Sequence, residues 1–232
     1  MIGALGRSLF QWAQDRLVGR RRRSATLGDV YESLAVLREP GCGACVRQRQ
    51  ALRRFYFWYL IETYGQAPGL LRVQASWGFC ANHTPDLLSS KAAYQLSYVA
   101  QCLGRELWHR LKRLRGTRSG RQRWAALERL RPTAECPACE TLAAQERWTA
   151  GALARVLLHP EVSSALPASP GLCLRHLLLV ATRASGPARA LVLEDARRRL
   201  RTLDAALQAP DAEGRRASDE VLEAMLTSSG QR

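Results

Sequence analysis

Apolar residues in this chain recur every three or four positions, and no stretch shows sustained alternation of β-branched and polar residues. That period predicts an all-α fold. Ile2, Leu5, Leu9, Trp12, Ala13 and Leu17 mark a short amphipathic helix that runs into Arg20, Arg21, Arg22 and Arg23. A second helix is expected over Leu27 to Leu37, stopped by Pro40-Gly41. Long helical runs pass through Phe55, Trp58, Tyr59 and Ile61, and again through Trp148, Leu153, Val156 and Leu157. Two further helices are expected over Ala92 to Leu114 and Pro187 to Leu207. Ser218, followed by Asp219 and Glu220, reads as the N-cap of a short helix near the C-terminus.

The same order of features occurs twice. Cys42-Gly-Ala-Cys45, a long helical run and Gly78-Phe79-Cys80-Ala-Asn-His83 are matched by Cys136-Pro-Ala-Cys139, a second helical run and Gly171-Leu172-Cys173-Leu-Arg-His176. The cysteine pairs are offset by 94 residues and the Cys/His pairs by 93, which reads as an internal repeat. The chain therefore divides into an amphipathic, basic arm over 1–24, a first repeat over 25–118, a second over 119–209 and a tail over 210–232.

Thiolate and imidazole are the ligands tetrahedral zinc prefers, and a Cys-x-x-Cys turn presents two sulfurs to one ion. The spacing predicts two zinc ions, one held by Cys42, Cys45, Cys80 and His83, the other by Cys136, Cys139, Cys173 and His176. Each would tie a turn to a helix start about 35 residues later in the same repeat, where i and i+3 share a face. Gly41, Gly78 and Gly171 would let the backbone bend around the ions. In the first repeat Thr84-Pro85-Asp86 places the helix start just after His83. Three thiolates and one neutral imidazole leave each centre with a formal charge of about −1, which Arg47, Arg49 or Arg175 could offset. Four protein ligands close the coordination sphere, so the centres are expected to be structural.

Competing readings exist for some of these residues. Cys42-Gly-Ala-Cys45 has the spacing of a redox turn, but such a turn needs a preceding strand, and residues 29–38 read as helix. Iron is the alternative metal, disfavoured by one His in each set. Cys102 has no partner in the repeat and reads as a small buried apolar residue, His109 seven residues on has too few companions for a site, and His159 before Pro160 ends a helix.

The doubled pattern of Cys-Pro/Gly-x-Cys, long helix and Gly-Phe/Leu-Cys-x-x-His resembles a family of uncharacterised bacterial cytoplasmic proteins, known chiefly from Chloroflexi-like and Gram-positive genomes. The likeness covers roughly residues 35–205 and implies that these Cys/His sets are metal ligands. It implies no activity.

Composition adds a second theme. The 232 residues carry a net charge of +15, almost all of it from Arg, with Lys only at 91 and 112. Between Arg105 and Arg131 lie ten basic residues and two acidic ones, punctuated by Gly116, Ser119 and Gly120. This exposed turn between two helices makes Arg110, Lys112, Arg113, Arg115, Arg118, Arg121 and Arg123 candidates for binding nucleic acid or another anionic partner, with Trp108 or Trp124 placed for stacking. The alternative is a protein-interaction or regulatory adaptor that docks a partner or a membrane surface through its N-terminal helix. Uncharged apolar runs are too short to span a bilayer, and the first residues lack the basic n-region of a secretory signal, so a reducing cytoplasm is the expected setting. The chain has no Walker-type loop, no Gly-x-Ser-x-Gly and no His-Glu-x-x-His, and two of its four histidines are assigned to metal, so a non-enzymatic binding protein is expected.

Overall fold

A computed structural model describes residues 24–115, 119–128 and 130–208. The expected N-terminal helix and the short helix near Ser218 lie outside these residues. Among the described residues the fold is all-helical. Its elements are α1 (Leu27–Arg38), α2 (Gly43–Trp58) continued by a π-helical turn (Tyr59–Thr63), α3 (Ala67–Ala75), α4 (Thr84–Ser89) and α5 (Ala93–Arg115). They are followed by α6 (Gly120–Glu128), α7 (Pro137–Val156), α8 (Pro160–Ala165), α9 (Leu174–Arg183) and α10 (Gly186–Gln208). The helices α5 and α10 have the same length, 23 residues, and both their ends are 93 residues apart.

Local chemistry explains where these helices start and stop. Thr26 caps α1 through a reciprocal box, its hydroxyl accepting from the Asp29 N–H while the Asp29 carboxylate accepts from the Thr26 N–H. Chain reversal after α1 uses Gly41 at φ +74°, a conformation that favours glycine. Gly43 is required for another reason. A Cβ built there would lie 1.9 Å from the Val36 carbonyl oxygen, so only glycine lets the start of α2 pack against the end of α1. Ser119 caps α6, its hydroxyl accepting from the Gln122 N–H.

Two apolar cores result. Val30, Leu34, Val36 and Leu37 of α1 pack with Ala150, Leu153 and Val156 of α7, Val162 of α8, Val180 and Ala181 of α9 and Val192 of α10. The second core joins Tyr59 of the π-helical turn to Val73 of α3, Leu87 of α4 and Val99 of α5, with Phe55 stacked on Tyr59, Phe79 edge to face with it and Tyr56 packed beside them. Between the cores, α2 packs antiparallel on α7. The Cys42 turn at the start of α2 lies beside the middle of α7, the Cys136 turn at the start of α7 lies beside Tyr56, and Gln48 Nε2 donates to the Leu142 carbonyl between them.

Candidate metal centres

The antiparallel pair decides which ligands meet. Cys42 and Cys136 are the N-cap residues of α2 and α7, so each Cys-x-x-Cys turn sits at one end of the pair. Cys173 is the N-cap of α9 and places His176 in its first turn, whereas His83 is itself the N-cap of α4. The structure gathers Cys42, Cys45, Cys173 and His176 into one cluster, centre A, and Cys80, His83, Cys136 and Cys139 into another, centre B. In each, the four ligand atoms lie within 4.8 Å of one another. All eight expected ligands are therefore used, and each centre could hold a metal ion.

The expected pairing within each repeat is overturned. Cys42 and Cys45 meet Cys173 and His176, while Cys80 and His83 meet Cys136 and Cys139. Helix length supplies the reason. The Tyr56 hydroxyl donates to the His83 carbonyl at 3.2 Å, which holds the first Cys/His pair beside the far half of α2. Tyr56 is eleven residues beyond Cys45, about 16 Å along the helix at 1.5 Å per residue, too far for one ion to bridge. The antiparallel neighbour brings the start of α7 to that place instead.

The donor geometry can be tested against a tetrahedral ion. Zinc–sulfur bonds of about 2.3 Å and zinc–nitrogen bonds of about 2.05 Å imply tetrahedron edges of about 3.8 Å between sulfurs and about 3.6 Å between sulfur and nitrogen. Cys45 and Cys173 Sγ are 3.8 Å apart in centre A, and Cys80 and Cys139 Sγ 3.7 Å apart in centre B. His176 Nδ1 lies 3.4, 3.4 and 3.1 Å from the sulfurs of Cys42, Cys45 and Cys173. His83 Nδ1 lies 3.2, 3.8 and 3.3 Å from those of Cys80, Cys136 and Cys139. Disulfides would need sulfurs about 2.05 Å apart; all seven cysteines are free thiols.

Three sulfurs this close cannot all ionise without a cation. The Cys173 thiol is held far below its usual range by hydrogen bonds from Cys42 and Cys45, and contact with Cys173 pushes Cys45 far above it. In centre B burial and the Cys80 contact push Cys139 up to about 12. Against its burial, the N–H groups of His83 and Asn82 hold Cys80 below the ordinary thiol value. Burial alone would push His176 down, yet the facing sulfurs of Cys173 and Cys42 draw it up to about 9. Each cluster thus sets a thiol drawn toward ionisation beside one held protonated, and a divalent cation would let all the thiols ionise together.

Two contributors were not anticipated from the sequence. Glu146 of α7 lies with Oε1 3.5 Å from His176 Nε2 and also pairs with Arg175 at 2.7 Å. Arg175, expected to offset charge, does so through that carboxylate and through the field of Cys173 and Cys45, which together raise its proton affinity. Tyr56 is the other. Arg47 pairs instead with Glu32 at 3.0 Å, and Arg49 is exposed. An acidic residue two helical turns after Cys139 was the available signal for Glu146, but its counterpart 94 residues earlier is Leu52.

Six of the seven basic candidates fall on α5 and α6. The Arg110 guanidinium stacks 4.7 Å from the Trp77 ring centroid and pairs with Glu106, so its charge is used inside the fold. Lys112 Nζ is 5.1 Å from the centroid of the exposed Trp108, and Arg121 and Trp124 are also exposed. Arg113 and Arg115 lie in α5 and Arg123 in α6. Arg118 lies outside the described residues. Among the described residues no helix is long and apolar enough to cross a membrane. No family model matches the chain, and comparison with curated proteins and with solved structures gives no match, so the resemblance drawn from the sequence rests on its ligand pattern alone.

Proposed function

We propose that both centres bind zinc and that the protein is a zinc-stapled, non-enzymatic helical module whose α5–α6 hairpin engages nucleic acid or a ribonucleoprotein. The observation that carries the zinc reading is the agreement of the sulfur and nitrogen spacings with the edges of a zinc tetrahedron in a Cys3His set. Four protein donors leave no coordination position for a substrate, which supports a structural role for the ions. The offsets of 94 and 93 residues between the ligand pairs, and of 93 between α5 and α10, support descent of the two halves from one duplicated unit.

The nucleic-acid reading is supported by Lys112 and Arg121 beside exposed Trp108 and Trp124, since phosphate attraction and base stacking need that combination. A second reading, a protein-interaction adaptor, is favoured by the exposed Phe57 and Trp58 rings, packed edge to face at 5.2 Å near exposed Ile61.

Elemental analysis of freshly purified protein tests the first part. About two zinc ions per chain are expected, together with loss of helical circular dichroism on chelation. Iron, or metal-free protein with reversible Cys42–Cys45 oxidation, would overturn it. Anisotropy titration of labelled single-stranded RNA tests the second part. The affinity should fall with salt, and Lys112→Glu with Arg121→Glu should flatten that dependence while leaving zinc content unchanged. No RNA or DNA affinity at low salt would eliminate the nucleic-acid reading and leave the adaptor.

A further inference from the structure

The two centres share a ligand set but not an environment. In centre A, Cys42, Cys173 and His176 are 4, 0 and 1 % exposed, Cys45 alone is partly exposed, and the sulfurs belong to an apolar cluster with Ala44 and Leu172. Glu146 backs the histidine ring. Cys42 heads the 16-residue α2 and Cys173 the 10-residue α9. In centre B all three sulfurs are partly exposed while His83 is buried; Cys136 heads the 20-residue α7, but His83 heads only the six-residue α4. An exposed Arg72–Glu140 ion pair lies next to Cys139.

Position in the chain gives that contrast a consequence. The two ligand pairs of centre B flank residues 84–135, which contain α4, α5 and α6, so an ion there closes the base of the basic hairpin. Leu87 of α4 and Val99 of α5 also hold this segment to the second apolar core, and polar closures accompany the ion at its base. The N–H groups of Thr133 and Ala134 donate to the Ala75 carbonyl, and Trp77 Nε1 donates to the Leu130 carbonyl. Centre A instead ties α2 and α9 to the larger core around α7.

We infer that centre B is an exchangeable metal site whose occupancy fixes the basic hairpin, while centre A is a permanent staple of the core. The inference rests on the zinc reading. Exchange is a ligand substitution: donors of a competing chelator replace Cys80, Cys136, Cys139 and His83, the ion leaves as Zn²⁺, and the thiolates take up protons from water. No electrons move. With a maleimide, each freed sulfur adds to the alkene carbon and the neighbouring carbon takes a proton.

The full-length, zinc-loaded protein is treated with a colour-forming zinc chelator and N-ethylmaleimide, and peptides are mapped by mass spectrometry over time. One ion should leave about tenfold or more faster than the other, in line with the affinity effect of a carboxylate behind a ligating histidine. Labelling should reach Cys80, Cys136 and Cys139 before Cys42, Cys45 and Cys173. Hydrogen exchange at the half-depleted stage should rise across residues 84–135 and stay low in α7 and α9. Equal release rates, or earlier labelling of Cys42, Cys45 and Cys173, would overturn the inference while sparing the zinc reading. Two-step release without a change in residues 84–135 would overturn the hairpin coupling. A protein that holds no zinc at the outset would overturn both readings.

Discussion

Glu146 Oε1 lies 3.5 Å from His176 Nε2, the ring nitrogen turned away from the three sulfurs of centre A. Among the described residues neither atom has a hydrogen-bond partner, and a carboxylate in that place is positioned to accept from Nε2–H, the tautomer that leaves Nδ1 free to bind metal. Glu146→Leu should weaken one of the two zinc sites about 10- to 100-fold and leave the other unchanged, with Glu146→Gln intermediate. Competitive titration against a chelator of known affinity measures this, and unchanged affinity at both sites would show that the carboxylate serves only Arg175.

The crossed pairing makes a prediction that simple counting of zinc can decide. Cys45 and Cys173 share centre A, so the double variant Cys45→Ser, Cys173→Ser should retain one ion per chain. Cys45→Ser with Cys80→Ser damages both centres and should retain none with native affinity. Pairing within each repeat gives the opposite pattern.

The eight residues that cluster were legible in the sequence because thiolate and imidazole pairs at three-residue spacing have few other uses, and their recurrence singled them out. Ligand partnership was not. Both pairings leave the same residues at the same offsets, and only the antiparallel contact of α2 with α7, marked by the bond from Gln48 to Leu142, selects between them. The helices over residues 27–38, 93–115 and 186–208 were visible from apolar period and from stops such as Pro40-Gly41. The π-helical turn at Tyr59–Thr63 was not, because its extra residue per turn answers to the packing of Tyr59 against Val73 and Phe79. Glu146 escaped for a related reason: the recurring Cys/His pattern directs attention to what the two stretches share, and Leu52 stands 94 residues before it.

Asp29 links the cap of α1 to α7. Its carboxylate accepts from Arg155 Nη2 at 2.6 Å and Nε at 3.2 Å, and the guanidinium holds its pKa below the usual carboxylate value despite burial. An unfolded aspartate titrates near about 3.9, so this stabilisation is complete above that pH and is lost as pH falls through the lower folded value. Asp29→Asn keeps a capping oxygen but loses the ion pair, at a cost of about 2 kcal/mol. In urea unfolding of zinc-loaded protein the gap between wild type and variant should stay constant from about pH 7.5 to 6, where the carboxylate remains ionised. A gap that closes within this range would mean that another group carries the effect.

Two glycines in helices should respond to alanine in opposite directions. At Gly43 the new methyl group would meet the Val36 carbonyl oxygen at 1.9 Å, so α1 and α2 must separate next to Cys42. Backbone cannot yield as a side-chain tip can, and a loss of about 3 kcal/mol, near the upper end for overpacking, is expected. The same shift would displace Cys42 and so weaken zinc at centre A. Gly104 stands within α5 with nothing inside 4 Å of its virtual Cβ. There alanine removes backbone freedom from the unfolded chain and should stabilise by about 0.5–1 kcal/mol. Urea unfolding in zinc-replete buffer compares the two, with metal content measured on the same samples. If Gly43→Ala matched wild type in both stability and zinc content, the close approach of α1 to α2 that positions Cys42 would be wrong.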